Sequence, residues 1–236
     1  MLKVRLWISA AGLLGAAGLL FAAQDPAPEQ IAAEWRALSG GLPAKLVYWQ
    51  KNQICTMDMA TGASKAIAVD IPRSGEAAVG PYPVWSPNGK RILYYTHVQG
   101  KQFRVMNADG SSVKAVSQGG PWTYGCCSWW DNDWVVVQEG APNYIVRKRL
   151  DAENNVVESV TVVDFAPYGG RGREWMCMSG DFVAWTDWGA NEKNLNRSLI
   201  RNWRTGAETE ACPRPEDACS INLKQDGSGT FIYCHN

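Results

Sequence analysis

The sequence has 236 residues with 23 basic and 23 acidic side chains, a near-neutral balance that argues against a nucleic-acid partner. Only two histidines are present, which argues against a histidine-rich metal or acid–base site, so we expect neither a metal nor a cofactor. The sequence has twelve tryptophans, an unusually high number, and aromatic residues of this kind favour the half-buried strands of a β-sheet.

The N-terminus has the pattern of a secretory signal. Lys3 and Arg5 precede an apolar run that extends to about Leu20, and small residues follow at Ala22 and Ala23. The pattern predicts a signal peptide over residues 1–23 and a secreted or periplasmic protein. A membrane anchor is the alternative, but the apolar run is short. No later stretch is apolar enough to span a bilayer, so we expect no stable membrane span after signal removal.

Residues 24–43 are interpreted as an N-terminal spacer. Within it, Ile31, Trp35 and Leu38 would share one face of a short helical segment. Ser39-Gly40-Gly41 then ends the segment, because glycine breaks helices.

A strand-and-turn unit begins at residue 84. Ser86-Pro87-Asn88-Gly89 has turn chemistry, since proline presets φ and Asn-Gly accepts a positive φ. The β-rich run 91–95 follows, and a second run at 103–106 ends on Ala108-Asp109-Gly110. One such unit cannot bury both of its faces, so it is expected to recur.

The unit does recur along the chain. Equivalent strand positions are Trp49, Tyr95, Val137, Trp185 and Cys234, with spacings of 46, 42, 48 and 49 residues. A β-period in the forties with four short strands is typical of propeller blades. We therefore predict an all-β propeller of four-stranded blades over residues 44–236, with about four to five blades present. The predicted blades are 44–70, 81–117, 125–164, 175–210 and a partial blade at 218–236.

The best-kept copy carries a family resemblance. Trp85-Ser86-Pro87-Asn88-Gly89-Lys90-Arg91-Ile92, with Met106-Asn107-Ala108-Asp109-Gly110, resembles the repeat of TolB-like β-propellers, which are related in architecture to WD-repeat propellers. It departs from the usual pattern only in having Asn88 where aspartate is usual. The match is specific over 84–116, partial at 46–69 and 218–234, and degenerate elsewhere. The resemblance implies a fold and leaves the function open.

The number of strands does not decide whether the blades form a closed ring. The first copy lacks a clear first strand, and the fifth stops after its second. Either the two ends share one blade and close a small four-bladed ring, or the blades form an incomplete ring belonging to a larger propeller. These arrangements differ in whether residues 46–69 and 219–234 lie in one sheet.

Aromatic residues on loops between blades are the candidate ligand-binding residues. Loop tryptophans with arginine nearby can stack on a sugar ring or hold a peptide. The alternative is that most tryptophans simply pack between blades. The candidates are Trp122, Tyr124, Trp129, Trp130, Arg171, Arg173 and Trp175.

Seven cysteines lie in the part predicted to be exported, where disulfides form. Cys212 and Cys219 flank a proline-stiffened segment and are the candidate disulfide. Alternatively, cysteines near the first strands of their blades, including Cys127 and Cys177, pair differently. Neither arrangement has the spacing of a zinc site.

The sequence contains no G-x-S-x-G nucleophile motif, and the aspartates near turns, such as Asp109 and Asp131, are explained by turn chemistry. We therefore predict no catalytic residues. The leading hypothesis is a non-catalytic module that binds a protein, peptide or glycan. One alternative is the propeller portion of a secreted peptidase or carbohydrate-active enzyme whose catalytic part lies outside this chain. Another is a purely structural repeat in an envelope complex.

Overall fold

The structure, a computed structural model, describes ten stretches of the chain. These are residues 27–40, 44–71, 82–97, 102–118, 127–139, 144–165, 173–187, 197–211, 220–223 and 227–234. Within them lie one helix and seventeen strands. Across these stretches, no helix combines the length and apolarity needed to cross a membrane. The predicted signal peptide, residues 1–23, lies outside the described residues.

The strands form five antiparallel sheets, which we call blades 1 to 5 in chain order. Blade 1 comprises β1 (Lys45–Gln50), β2 (Gln53–Asp58) and β3 (Ser64–Ala68). Blade 2 comprises β4 (Val84–Trp85), β5 (Arg91–Thr96), β6 (Gln102–Asn107) and β7 (Lys114–Gln118). Blade 3 comprises β8 (Cys127–Trp129), β9 (Trp134–Glu139), β10 (Tyr144–Leu150) and β11 (Val156–Asp164). Blade 4 comprises β12 (Arg173–Ser179), β13 (Phe182–Asp187), β14 (Arg197–Asn202) and β15 (Glu208–Glu210). Blade 5 comprises β16 (Ser220–Leu223) and β17 (Phe231–Cys234).

The blades are arranged as in a propeller. Each pairs its strands in chain order, and the first strands β4, β8, β12 and β16 contact one another in turn along one side of the array. The prediction of a propeller with four-stranded blades is confirmed. Blades 2, 3 and 4 have four strands each, and the sheets at the two ends are smaller. Blades 1 and 5 are separate sheets, so the described residues show no shared blade closing a four-bladed ring.

The turn that opens blade 2 shows why the repeat has its sequence. The Asn88 side-chain oxygen accepts hydrogen bonds from the Lys90 amide at 3.0 Å and the Ser86 hydroxyl at 2.9 Å. The Ser86 hydroxyl oxygen in turn accepts from the Arg91 amide at 2.9 Å. Gly89 has φ 69°, which glycine adopts without steric cost. These short polar residues therefore build the turn from their own side chains.

The core lies between the blades as well as within them. Ile54 of blade 1 packs with Ile92, Tyr94 and Met106 of blade 2. Further clusters join blade 2 to blade 3, blade 3 to blade 4, and blade 4 to blade 5. Each four-stranded blade is thus buried on both faces. This agrees with its central strands, which lack the long polar–apolar alternation of a strand with one face in solvent.

Helix α1 (Pro28–Ser39) covers the face of blade 1 that is turned away from blade 2. Ala32 is fully buried with Met57 and Met59, and Ile31 and Trp35 pack beside them. The predicted helical segment is therefore present and longer than expected. The expectation for Leu38 was wrong, since this side chain is 76% exposed. Ala32, four residues after Pro28 and one turn from Trp35, completes the buried face instead.

Candidate functional site

The two ends of the blades differ in their connections. Within each antiparallel blade, the connection between the first and second strands lies at the same end as that between the third and fourth. We call this the turn end, and the opposite one the loop end. At the turn end the connections are short, for example residues 130–133 and 151–155 in blade 3. The candidate site lies at this end.

Polar side chains join blades 2 and 3 at the turn end. Asn154, which is fully buried at φ 68°, donates from Nδ2 to the Ser112 carbonyl at 2.9 Å and to Asn107 Oδ1 at 3.3 Å. Arg91 donates from Nη2 to the Asp151 carbonyl at 2.7 Å. These contacts fix the two blades relative to each other and give the neighbouring site a rigid support.

Between blades 3 and 4, three tryptophan rings surround one guanidinium. The Arg147 Cζ atom lies 4.0 Å from the ring centroid of Trp130, 4.2 Å from that of Trp134 and 4.6 Å from that of Trp203. The Trp130 and Trp134 rings meet edge to face with centroids 6.0 Å apart. We call these four residues the tryptophan cage. Each ring offers its electron-rich face to the cation, which is a favourable arrangement.

The local fold explains how the cage rings are placed. Trp130 directly follows the first strand of blade 3, and Trp134 begins the second. Between them, the Asp131 carboxylate accepts hydrogen bonds from the Asp133 and Trp134 amides at 2.8 Å each, which closes a tight turn. The turn brings the two rings together although three residues separate them in sequence.

The third ring comes from blade 4. Trp203 follows β14, and its amide donates to the Asp181 carbonyl at 3.0 Å, which holds the turn of blade 4 in place. The ring packs against the hydrophobic core between blades 3 and 4, as does Trp130. The cage therefore forms only when these two blades are packed together.

The electrostatics of the cage are unusual because none of the described residues accepts a hydrogen bond from two of the cation's buried nitrogens. Arg147 is only 8% exposed, and its Nε and Nη1 atoms are buried without an acceptor in the described structure. Burial lowers the pKa of Arg147, and the positive charge of Arg204 lowers it further. A buried arginine normally has its donors paired, so these unpaired donors make the guanidinium a candidate binding group.

A second arginine lies at the solvent side of the cage. The Arg204 Cζ atom is 4.5 Å from the Trp203 ring centroid, and its Nε donates to Asp181 Oδ1 at 2.6 Å. This ion pair is exposed, with about half of each side chain accessible to solvent. An exposed pair of this kind contributes little to stability and exchanges readily for another partner.

The fold resembles those of solved β-propellers. A TolB from Acinetobacter baumannii matches 71% of this chain with a TM-score of 0.50 and 15% identity, and the match spans 40% of that protein. A putative TolB from Agrobacterium tumefaciens matches 67% of this chain with a TM-score of 0.50 and 18% identity, spanning 55% of its length. The chain has a TolB-like β-propeller fold. No family model and no curated protein matches the sequence itself.

At these identities the similarity concerns the fold, so the functional site of this TolB-like propeller must be argued from its own residues. The matches cover less than two thirds of either relative. Among the described residues, no group of three or more histidine, cysteine, aspartate or glutamate side chains could hold a metal ion.

Two predicted site residues, Trp129 and Trp130, are neighbours with different environments in the TolB-like propeller. Trp129 is 3% exposed, packs between blades 2 and 3, and donates from Nε1 to the Val84 carbonyl at 3.1 Å. It therefore joins two blades. Trp130 is partly exposed and lies in the tryptophan cage.

The other predicted site residues lie on segments that connect the blades or at the start of blade 4. Trp122, Tyr124 and Arg171 lie outside the described residues. Arg173 and Trp175 belong to strand β12, but their side chains are outside the description. Their backbone places them toward the loop end, opposite the cage. They remain a predicted ligand-binding set.

The predicted Cys212–Cys219 disulfide also lies outside the described residues. Of the alternative cysteines, Cys177 is buried as a thiol, and the Leu223 amide donates to its Sγ at 3.2 Å. Burial raises its pKa to about 12. Cys55 is likewise buried, and burial raises its pKa. Both thiols are therefore poor nucleophiles in the folded protein.

Three cage residues were missed from sequence: Trp134, Arg147 and Trp203. The high tryptophan content was the available signal, since it raised the number of candidate aromatic sites. Arg147 carries no local signal, because it lies within a strand that also contains Lys148 and Arg149. Only the packing of blades 3 and 4 distinguishes it from these neighbours.

Proposed function

We propose that this protein is an exported, non-catalytic propeller that binds a ligand at the turn end, between blades 3 and 4. The proposal combines the predicted signal peptide with the tryptophan cage. The observation that carries it is the Arg147 guanidinium, which is buried among three rings and has no acceptor for Nε and Nη1 among the described residues. Burying a cation without hydrogen-bond partners costs stability, so its presence here favours a role in binding.

The geometry also suits a binding site because the support is rigid. The turn of blade 3 is closed by Asp131, and the neighbouring blade is held through Asn154. A site on tight turns between packed blades keeps its shape before the ligand arrives, which lowers the entropic cost of binding. Proteins commonly place recognition residues on connections held by such a scaffold.

The cage side chains are unsuited to catalysis. Tryptophan and arginine have no group that acts as a nucleophile or exchanges a proton near neutral pH. They do supply ring faces, indole N–H donors and positive charge, which are groups used in recognition. The chemistry of the site therefore favours binding of a protein, peptide or glycan over turnover.

An array of defined peptides and oligosaccharides tests the proposal. Wild-type protein is compared with Arg147→Met, which removes the charge while keeping an apolar chain of similar length. A second variant carries both Trp122→Ala and Trp175→Ala, and so lacks the predicted loop-end aromatics. We expect the cage variant to lose the array signals and the loop variant to keep them, with both melting close to wild type.

The opposite pattern, with signals lost only in the loop variant, would transfer the binding site to the loop end. Binding that survives in both variants would contradict both sites. The alternative of an enzyme's propeller portion stays a prediction. It is tested by reading the genomic sequence beyond Asn236 for a hydrolase domain.

A further inference from the structure

The cage contains hydrogen-bond donors without acceptors. In addition to Nε and Nη1 of Arg147, the Nε1 atom of Trp203 is buried and has no partner within the described part of the chain. The Trp203 ring centroid lies 4.6 Å from the guanidinium carbon. Two side chains in contact therefore present three nitrogens whose N–H groups have no acceptor. Such a set of donors, one side chain of which is a cation, favours a ligand group that accepts hydrogen bonds and carries negative charge.

The protein's own carboxylates do not fill this role. Asp131, Asp181 and Glu158 are near enough to influence Arg147 electrostatically. Each is engaged elsewhere, because Asp131 accepts from backbone amides, Asp181 pairs with Arg204, and Glu158 pairs with Arg149 at 2.9 Å. None of these three carboxylates bonds Arg147 within the described residues, which leaves its buried donors available to an acceptor from outside.

The arrangement favours a peptide carboxylate over an acidic sugar. Sugar recognition by tryptophan uses an open ring face on which the pyranose stacks. Here Arg147 lies over all three rings, and Arg204 lies over Trp203 as well. At least one face of each ring is thus covered by a guanidinium, and the buried N–H donors are the groups left without a partner among the described residues.

We propose that the cage binds a carboxylate side chain of an acidic peptide segment, which accepts hydrogen bonds from Arg147 and the Trp203 indole. This inference rests on the proposed function and names the ligand class of the same site. Arg204 covers Trp203 through an exposed ion pair to Asp181, so its side chain can move aside to admit the peptide. Charge-assisted hydrogen bonds of this kind are short and strong.

The test measures binding of a fluorescein-labelled Asp-Ala repeat peptide by fluorescence anisotropy, with the matching Asn-Ala peptide as the neutral analogue. Oligogalacturonate serves as the acidic glycan. The variants are Arg147→Met, and Trp203→Phe, which keeps a ring but removes the indole donor. Arg36→Gln is the control, since it removes one positive charge on helix α1, far from the cage. Thermal melting establishes that each variant is folded.

We expect the acidic peptide to bind at least about tenfold more tightly than the neutral one, as for hydrogen bonds to charged groups. Arg147→Met should lose about tenfold or more, Trp203→Phe several-fold, and Arg36→Gln should match wild type. In ¹⁵N spectra the Trp203 indole resonance, assigned from its absence in Trp203→Phe, should shift downfield on peptide binding.

Three outcomes would overturn the inference. Equal, Arg147-dependent binding of both peptides would refute the carboxylate and leave the proposed function standing. Tighter, Arg147-dependent binding of oligogalacturonate would replace the peptide with an acidic glycan at the same site. The third outcome combines two observations: no probe shifts the Trp203 resonance, and Arg147→Met leaves binding unchanged. Together they would refute both the ligand class and the cage as the binding site.

Discussion

Replacing Asn154 with aspartate should destabilise the protein strongly although the two side chains have the same shape. The Asn154 amide is fully buried and donates to two acceptors, the Ser112 carbonyl and Asn107 Oδ1. Aspartate tolerates the positive φ of 68° about as well as asparagine does, so the backbone contributes little to the difference. The change therefore replaces the two N–H donors with a buried carboxylate oxygen at nearly constant shape.

The magnitude follows from the environment of the new carboxylate. It would lose two hydrogen bonds, each contributing about 1 kcal/mol, and would place a buried charge against two oxygen acceptors. Breaking buried polar partnerships in this way costs about 3–5 kcal/mol. For a chain of this size, each kcal/mol lowers the melting temperature by about 2–4 °C. We therefore expect a decrease of about 6–20 °C at pH 7.

Urea unfolding and thermal melting at several pH values provide the assay, with Asn132→Asp as the control because Asn132 lies exposed on the turn of blade 3. Burial and the facing oxygens should raise the pKa of the introduced aspartate above its unfolded value. Its proton then favours the folded state at low pH, so the loss relative to wild type should shrink as the pH falls. A loss as small as that of Asn132→Asp, or one independent of pH, would refute the reasoning.

Two further predictions concern packing between blades. Gly110→Ala should cost more than about 3 kcal/mol, because its Cβ would lie 2.2 Å from the Ile67 carbonyl oxygen, whereas Gly89→Ala, in open space, should cost about 1 kcal/mol. Urea denaturation measures both, and equal losses would contradict the close approach of blades 1 and 2. Cys177 should resist alkylation by iodoacetamide at pH 8, as mapped by mass spectrometry, until the protein unfolds. Burial raises the pKa of Cys177 to about 12. The stability contributed by the buried neutral thiol is therefore fully present below the ordinary thiol pKa and declines as the pH rises towards 12. Rapid alkylation of Cys177 in the native protein would contradict the prediction.

The repeat could be predicted because its determinants are local. The turn at Ser86-Pro87-Asn88-Gly89 is built from hydrogen bonds among residues two to five positions apart. Likewise, Asp109 accepts from the amide and hydroxyl of Ser111, as turn chemistry predicts for this residue. Short-range bonds of this kind depend little on the rest of the fold, so turn type and strand spacing are encoded where they occur.

The candidate site could be predicted only in part. Trp129 and Trp130 are adjacent, and successive residues of a strand face opposite sides of the sheet. The sequence identifies both as aromatic but does not show that Trp129 joins blades 2 and 3 while Trp130 faces blade 4. The prediction for Leu38 failed for a similar reason, because the buried face of helix α1 is defined by the blade against which it packs.

By itself, then, the sequence determined that this chain forms short strands with tight Asx-type turns at a propeller's period, since those features follow from local bonding and side-chain alternation. The tertiary structure alone decided that Arg147 meets Trp203, because the contact depends on how blade 4 packs against blade 3. It also decided that Nε and Nη1 of this guanidinium meet no acceptor within the described part of the chain. Whether a donor is paired depends on every group brought near it, and that is a property of the packed blades.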